Sequence, residues 1–453
     1  MSLLIPGTNS IKDTGYDVAN SVRLEAAYMK RTVTPSTSNT WTLSFWIKLS
    51  GHNGSSEGYL FSYGADGGQG FYITNAGYLG YYGGSGYGSD STLSQGVLRD
   101  VSAWYHIVFS VNSGTGTLYI NGVQDATISN VAPLNATTGN TYAVNSYINY
   151  EANFDNFLGY MAEYVFIDGT AYDQNSFGEF DSDSPNIWKP IDVSGLTFGT
   201  NGFHLDFENA SSLGADVSGN GNNFTVNNLT SIDQTTDTCT NNYATLNPLL
   251  DVNATPTFTE GNLVFQGTGS TNFAGATIPV SSGKWYVEVK ATTVSGSYPI
   301  IGVIDSQSYK RRDSTYFVGS DIDTNNPSGF AVFSNGDIYH NNDNNFSNLT
   351  TTYTSGDIIG MALNMDASPN TLGFYKNGAL EVTINLDTAP SGAYMFASAI
   401  HSSTSSAKGE FNFGNPTFSI SSGNSDGNGY GNFEYAVPSG YYSLNTKNLA
   451  EFG

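Results

Sequence analysis

Side chains that exchange protons, hold metals or attack substrates are sparse in this sequence. Two carboxylate pairs, Asp206 with Glu208 and Glu179 with Asp181, have the spacing that puts both members on one face of a strand. Glycoside hydrolysis needs two carboxylates about 5–5.5 Å apart for retention or about 6.5–9.5 Å for inversion. The plainer reading of each pair is a solvated strand face or strand end. The five histidines, His52, His106, His204, His340 and His401, are scattered without metal-ligand spacing, and His106, set between Tyr105 and Ile107, reads as structural. Cys239 is the single cysteine. It forms no intrachain disulfide and reads as a lone thiol in a polar loop. Gly-x-Ser-x-Gly elbows, phosphate-binding Gly-x-x-x-x-Gly-Lys-Ser/Thr loops and paired-cysteine motifs are missing from the sequence. The expectation is a protein that is not an enzyme and carries no organic cofactor.

Binding chemistry is better represented. Asp216, Asn220 and Asn222 cluster in Asp-Val-Ser-Gly-Asn-Gly-Asn-Asn and offer oxygen ligands of the kind calcium takes, although the same residues are plain turn formers. Asp321-Ile322-Asp323 is a weaker second place for such an ion. Tyr81, Tyr82 and Tyr87 lie in or beside Gly83-Gly84-Ser85-Gly86. Flat rings on a loop suit stacking against sugars, and they equally suit contact with a neighbouring protein, since aromatics are enriched at interfaces. Lys310-Arg311-Arg312 is an unusual basic triplet in an acidic chain, either a docking point for an acidic partner or a solvated loop.

The elements that position these residues read as strands. Thr42–Leu49, Trp104–Val111 and Lys284–Lys290 alternate apolar and polar residues in the pattern of half-buried strands. One arrangement occurs twice: strand, loop, strand, Asn-Gly, strand, around Asn121-Gly122 and again around Asn377-Gly378. Asn-Gly favours a type I′ turn because both central residues take positive φ. The repeated order predicts one architecture used twice.

Composition agrees. The chain has 453 residues, 52 of them glycine and 57 tyrosine or phenylalanine, with charged residues only 12%. Strands joined by tight turns fit this better than charged surface helices. At roughly 100–200 residues per domain, the length suggests two domains. The net charge of −24 argues against nucleic acid and anionic membrane as partners, because phosphate binding needs a basic footprint. The N-terminus lacks the basic region of a signal peptide, and no run approaches the ~20 apolar residues of a membrane span. The expectation is folding in a cytoplasm, with release by a route such as lysis of an infected cell.

The residues carry family patterns. Trp41–Lys48, Trp104–Phe109 with Leu118–Gly122, and Phe157–Phe166 resemble, in order, three strands of laminin-G-like, concanavalin A-type domains over roughly 20–180. Trp285–Val289, Ile301–Val303, Gly356–Gly360, Leu372–Gly378 and Phe411–Gly414 resemble a SPRY domain over roughly 255–420. Both families are two-sheet antiparallel sandwiches. The resemblance therefore implies an all-β chain of two concanavalin A-like jelly-roll β-sandwich domains in tandem. We divide it into a laminin-G-like domain at 1–235, including a late-returning strand near 203–208, a linker at 236–254, a SPRY-like domain at 255–420, and a Gly/Asn-rich linker with a Tyr-rich C-terminal segment at 421–453. Glucanases of this fold carry a Glu-x-Asp-x-x-Glu strand, which this sequence lacks. SPRY domains bind through loops at one edge, which here points to Tyr309 to Arg312, including Arg311 and Arg312, with Tyr316 and Tyr339.

The whole arrangement, with Asn247–Asp251 and the C-terminal Val437–Gly453, resembles structural proteins of marine tailed bacteriophages. This implies a virion component, a tail fibre, tail tip or surface adhesion protein, or alternatively a capsid-decorating or head-fibre protein with a mechanical role. The partners implied are other virion proteins, further copies of the chain, a trimer among the options, and host-surface polysaccharide. Nucleic acid and membrane insertion are not expected. The apolar C-terminal segment from Val437 is expected to clasp neighbouring subunits.

Overall fold

Asn121 and Gly122 have φ of 48° and 78°, and Asn377 and Gly378 have φ of 48° and 82°, the left-handed pair that a type I′ hairpin requires. Each Asn also binds the strand beside it. Asn121 donates its N–H to His106 O and accepts the His106 N–H on Oδ1 at 2.8 Å. Asn377 does the same with Ile358, whose N–H meets Oδ1 at 2.9 Å. In both hairpins the last strand bulges at an acidic residue four places beyond the Asn, Asp125 and Glu381. Asp125 accepts the Gln95 N–H at 2.7 Å and Glu381 the Thr350 N–H at 3.0 Å. The repeat seen in the sequence therefore extends to the side-chain contacts that fix each hairpin.

The computed structural model of the chain describes residues 15–34, 36, 38–51, 57–64, 69–134, 141–146, 156–250, 256–296, 298–307, 318, 329–341, 343–389 and 391–453. The chain is nearly all-β with multiple antiparallel sheets, and these residues divide into two units, one ending at Asn242 and the other running from Tyr243 to Gly453.

In the first unit the strands are β1 (Ser21–Leu24), β2 (Tyr28–Thr32), β3 (Trp41–Leu49), β4 (Gly58–Gly64), β5 (Gln69–Ile73), β6 (Leu79–Tyr82), β7 (Ser89–Asp90), β8 (Trp104–Asn112), β9 (Thr115–Ile120), β10 (Val123–Ile128), β11 (Thr141–Val144), β12 (Gly159–Asp168), β13 (Gly178–Phe180), β14 (Trp188–Pro190), β15 (Phe203–Leu205), β16 (Thr225–Asn227) and β17 (Gln234–Thr235). One large sheet has the order β10-β9-β8-β3-β12-β1-β17, with β15 also on β12, the other large sheet has the order β16-β2-β11-β4-β5-β6-β7, and β13 and β14 form a separate two-stranded sheet. Trp41, Phe45, Phe61, Phe71, Phe109 and Phe166 fill the space between the two large sheets.

The second unit contains β18 (Thr257–Thr259), β19 (Val264–Gly275), β20 (Lys284–Thr293), β21 (Ile300–Asp305), β22 (Gly329–Val332), β23 (Asp337–His340), β24 (Asp343–Asn348), β25 (Ile358–Asn364), β26 (Thr371–Lys376), β27 (Ala379–Asn385), β28 (Tyr394–Asn412), β29 (Tyr442–Ser443) and the helix α1 (Thr446–Phe452). The order is β24-β23-β22-β21-β28-β20-β25-β26-β27. The inward residues of β20, β25 and β26 share one buried cluster with those of β21 and β22. No helix among the described residues is long and apolar enough to cross a membrane.

Three expectations need correction. The alternating strands are not half-buried: β3 is buried along its whole length. Later segments cover its outer face, and its polar residues find partners there, Thr42 Oγ1 donating to Thr170 O at 2.9 Å and Lys48 Nζ reaching Asp237 Oδ2 at 2.7 Å. Residues 236–250 are not a linker. Asp237, Thr238 and Asn242 are buried in the first unit, and Tyr243, Ala244 and Leu246 in the second. The Gly/Asn-rich start of 421–453 is not a linker either. Asp426 accepts the N–H of Asn428, Tyr430 and Ser443 and the Asn448 amide, Tyr442 stacks on Phe452 at 3.8 Å, and β29 lies parallel to β20. The clasp expected between subunits is closed within the unit, because its apolar residues find the unit's own sheet first.

Candidate functional site

Among the described residues, the β6–β7 hairpin is the place where predicted contact residues meet solvent. Tyr82 ends β6, and its cross-strand partner is Ser89 on β7. Tyr87 lies in the turn, whose closure is the Tyr87 N–H to Gly84 O bond at 3.3 Å. Gly84 and Gly86 take φ of 78° and 86°, which the turn requires and a Cβ would oppose. Tyr82 is 39% and Tyr87 41% exposed. Ser89 Oγ accepts the Gly83 N–H at 3.0 Å, which leaves its hydroxyl proton to donate. Asp90 holds Thr92 through Oδ1 alone, accepting its N–H at 2.9 Å and its hydroxyl at 3.3 Å.

Tyr81 does not join this surface. It is fully buried, because alternation along β6 points it inward where Tyr82 points outward. Its hydroxyl lies 2.7 Å from Tyr63 Oη and accepts the Ala132 N–H at 3.1 Å, while Tyr63 donates to Ala132 O at 3.0 Å. Burial pushes the Tyr81 hydroxyl up to about 12. The two tyrosines thus hold the backbone of the loop after β10. Asn130 in that loop donates its amide to Gly86 O at 3.0 Å and accepts the Gly88 N–H on its backbone carbonyl at 2.9 Å. The hairpin is therefore fixed in shape without a ligand, which lowers the ordering cost of binding one.

The other candidates fall elsewhere. Arg311, Arg312 and Tyr316, with Tyr309, Lys310 and Asp321–Asp323, lie outside the described residues. Tyr339 is half-buried, its ring packed on Phe333 at 4.2 Å. Asp216, Asn220 and Asn222 do come together, as a closed turn. Asp216 accepts the N–H groups of His204, Ser218 and Asn222 at 3.0, 2.9 and 2.7 Å. Asn220 and Asn222 donate to Gly202 O, and Asn222 Oδ1 accepts from the Arg31 guanidinium at 2.6 Å. Carboxylate oxygens used on backbone donors and a guanidinium beside an amide oxygen do not fit a calcium shell. Among the described residues no group of three or more His, Cys, Asp or Glu is placed to hold a metal ion. Of the carboxylate pairs, Glu179 and Asp181 both reach Lys189, at 3.4 and 3.3 Å, and Asp206 caps the Glu208 N–H at 3.1 Å.

Sequence reading missed a set of buried polar contacts outside the first sheet. His106 is buried and stacks on Trp46 at 4.7 Å. It lies 2.9 Å from Ser44 Oγ through Nε2 and accepts from Trp188 through Nδ1, and burial lowers its pKa to about 3. Lys48 and Asp237 are both fully buried, and Asp237 also accepts from Trp104 Nε1 at 3.1 Å. Burial lowers the Lys48 pKa against the pull of Asp237. Glu163 sits at a bulge of β12 with φ of 46° and meets His204 Nε2 at 3.0 Å. Burial opposes the His204 charge, but the hydrogen bond and charge of Glu163, with Asp206 and Asp216 behind them, raise its pKa above the usual value. Cys239 is buried among Trp46, Trp104 and Tyr160, and not in an open polar loop, because the polar segment around it lies against the sheet. Burial raises its thiol pKa, the inert state of a cysteine. The one signal of these contacts in the sequence was polar residues at alternate positions of β3 and β8, which looked solvent-facing.

Residues 24–173 match a family model described as the concanavalin A-like lectin/glucanases superfamily. No curated protein matches the chain. Among solved structures the chain is similar to the SPRY domain of human HERC1, with 17% identity over 37% of this chain and 96% of that one and a TM-score of 0.30. It is similar to the heptameric SAP-like pentraxin of Limulus polyphemus, with 16% identity over 35% and 79% and a TM-score of 0.25. It is also similar to domain 4 of AbnA, an extracellular arabinanase from Geobacillus stearothermophilus solved in complex with arabinotriose, with 18% identity over 34% and 72% and a TM-score of 0.28.

Proposed function

We propose that this chain is a non-catalytic surface-binding protein whose β6–β7 hairpin contacts a glycan, and that it serves as an adhesion component of a tailed-bacteriophage virion, assembled in the host cytoplasm. The observation that carries the binding reading is the pair Tyr82 and Tyr87. Both are exposed on a hairpin fixed from two sides, in the unit whose sequence matches a lectin-type family model. An exposed tyrosine ring offers an apolar face and a polar tip, the two features a sugar presents in return. The non-catalytic reading rests on the carboxylate pairs, which are occupied by Lys189 and by a backbone N–H. The virion reading rests on the sequence resemblance alone. Other virion proteins and further copies of the chain are its remaining partners in this reading.

A glycan array probed with the intact chain tests the binding reading. We expect saturable binding that Tyr82→Ala and Tyr87→Ala each weaken at least tenfold, and absence of binding to any glycan would remove it. Immunogold labelling of purified particles tests the virion reading. We expect label on the tail, and particles without label would overturn it.

A further inference from the structure

We propose that Lys48 and Asn242 join in an intramolecular isopeptide bond, Nζ to Cγ, with Asp237 as the proton carrier and ammonia as the leaving group.

The fold of the first unit brings the three groups to one point. Lys48 lies in β3 between its cross-strand partners, Trp104 of β8 and Tyr160 of β12. Asp237 and Asn242 flank a tight turn, closed where Thr238 and Asn241 exchange N–H to carbonyl bonds at 3.2 Å. Lys48 Nζ lies 2.7 Å from Asp237 Oδ2 and 2.7 Å from Asn242 Oδ1. A carbonyl bond is about 1.23 Å long, so Asn242 Cγ is at most about 3.9 Å from the amine. A small adjustment brings that pair to the roughly 3–3.5 Å of a near-attack geometry.

The surroundings favour neutral groups. Lys48 and Asp237 are 0% exposed and Asn242 is 5% exposed, and the Tyr160 ring centroid lies 5.6 Å from Nζ. Burial lowers the Lys48 pKa against the pull of Asp237, which brings the nucleophilic free amine within reach. The amide is also oriented. Asn242 Nδ2 donates to Ser102 O at 2.6 Å, which turns its carbonyl oxygen toward Lys48. Asp237 is held from its other side by Trp104 Nε1, at 3.1 Å from Oδ1. An ionised carboxylate is a poorer electrophile than an amide, so the attack falls on Asn242.

The step balances without an outside reactant. Lys48 Nζ gives one proton to Asp237 Oδ2 along their hydrogen bond. The free amine adds to Asn242 Cγ, and the carbonyl electron pair moves to Oδ1. Asp237 passes its proton to Nδ2 and takes a second from the nitrogen of the new bond. The Cγ–Nδ2 bond breaks as the carbonyl re-forms, and ammonia leaves with that second proton as ammonium, returning Asp237 to a carboxylate. The Lys48–Asp237 ion pair is the state before reaction. The product ties β3 to a residue 194 positions along the chain, so tension entering at Tyr243 reaches β3 through covalent bonds.

The test is the mass of the purified intact chain, followed by peptide mapping. The expected mass is lower than that of the sequence by one ammonia, with the peptide carrying Lys48 joined to the peptide carrying Asn242. Asn242→Ala, which holds the chain in the unreacted state, and Asp237→Ala should both keep the full mass of their sequences. The wild-type mass decides the question even where a variant fails to fold. A wild-type mass equal to that of the sequence overturns the inference. So does a loss of ammonia at Asn242 without a joined peptide, the mark of a cyclic imide, or a loss of water that joins Lys48 to Asp237. Undiminished cross-linking in Asp237→Ala overturns it as well.

Discussion

Trp188 Nε1 donates a hydrogen bond to His106 Nδ1 at 2.8 Å across 82 residues of sequence. The donor fixes the tautomer. Nδ1 must carry the lone pair, so the ring proton sits on Nε2 and is given to Ser44 Oγ. The same indole covers the Asn-Gly turn: a Cβ on Gly122 would lie 2.2 Å from the Trp188 ring. In the second unit Tyr435 takes the corresponding place, 2.5 Å from a Cβ on Gly378. In each unit, chain that follows the hairpin in sequence returns to cover this edge hairpin with one aromatic ring.

His106 gives a pH dependence with a definite sign. Its folded pKa is about 3 and its unfolded value about 6.5. Between these values the unfolded chain binds a proton that the folded chain refuses, so this group costs stability as pH falls from 6.5 toward 3. Relative to His106→Gln, the wild type should lose about 1.4 kcal/mol per pH unit between pH 6 and pH 4, measured by urea unfolding. Parallel slopes for the two proteins would contradict the neutral, buried assignment.

Gly122→Ala and Gly378→Ala should each destabilise their own unit by about 1–3 kcal/mol, since each combines positive φ with a clash against an aromatic ring. Hydrogen exchange by mass spectrometry should show the lost protection confined to residues up to 242 for the first and to residues from 243 for the second. Loss spread evenly over both would deny that the units are separate.

Lys48→Met should cost about 3–5 kcal/mol, because it leaves Asp237 buried without its cation. The double variant Lys48→Met/Asp237→Leu should recover a large part of that loss. A double-mutant cycle in guanidinium that returned a coupling near zero would refute the pair.

Glu288 is buried and accepts the N–H of Glu434 at 2.9 Å and of Tyr435 at 2.8 Å. Glu288→Leu leaves both donors unanswered, at about 1–3 kcal/mol each, and should expose 421–436 to limited proteolysis. Truncation after Ala436 should likewise lower the melting temperature of the second unit, because Tyr442, Leu449 and Phe452 pack on its core. A truncated chain with unchanged melting temperature but a reduced mass in solution would restore the inter-subunit clasp.

Much of this molecule is legible in its residues. The strand class follows from alternation and from glycine-rich turns, and the two Asn-Gly hairpins follow from the φ requirement alone. The exposure of Tyr82 and Tyr87 is legible too, since they are aromatic residues around a glycine tract that no core pattern claims. Tyr81 was misplaced with them because two adjacent residues of a strand point to opposite faces, and which face is the inner one depends on the other sheet.

The sequence by itself determined the β class, the repeated hairpins and the acidic, lysine-poor surface, because these depend on local backbone preference and on composition. Tertiary structure alone decided which polar residues are buried and which are exposed. Lys48, His106 and Glu163 gain their partners from Asp237, Trp188 and His204, each far along the chain, and only the return of those segments over the sheet turns an apparent solvent face into an interior.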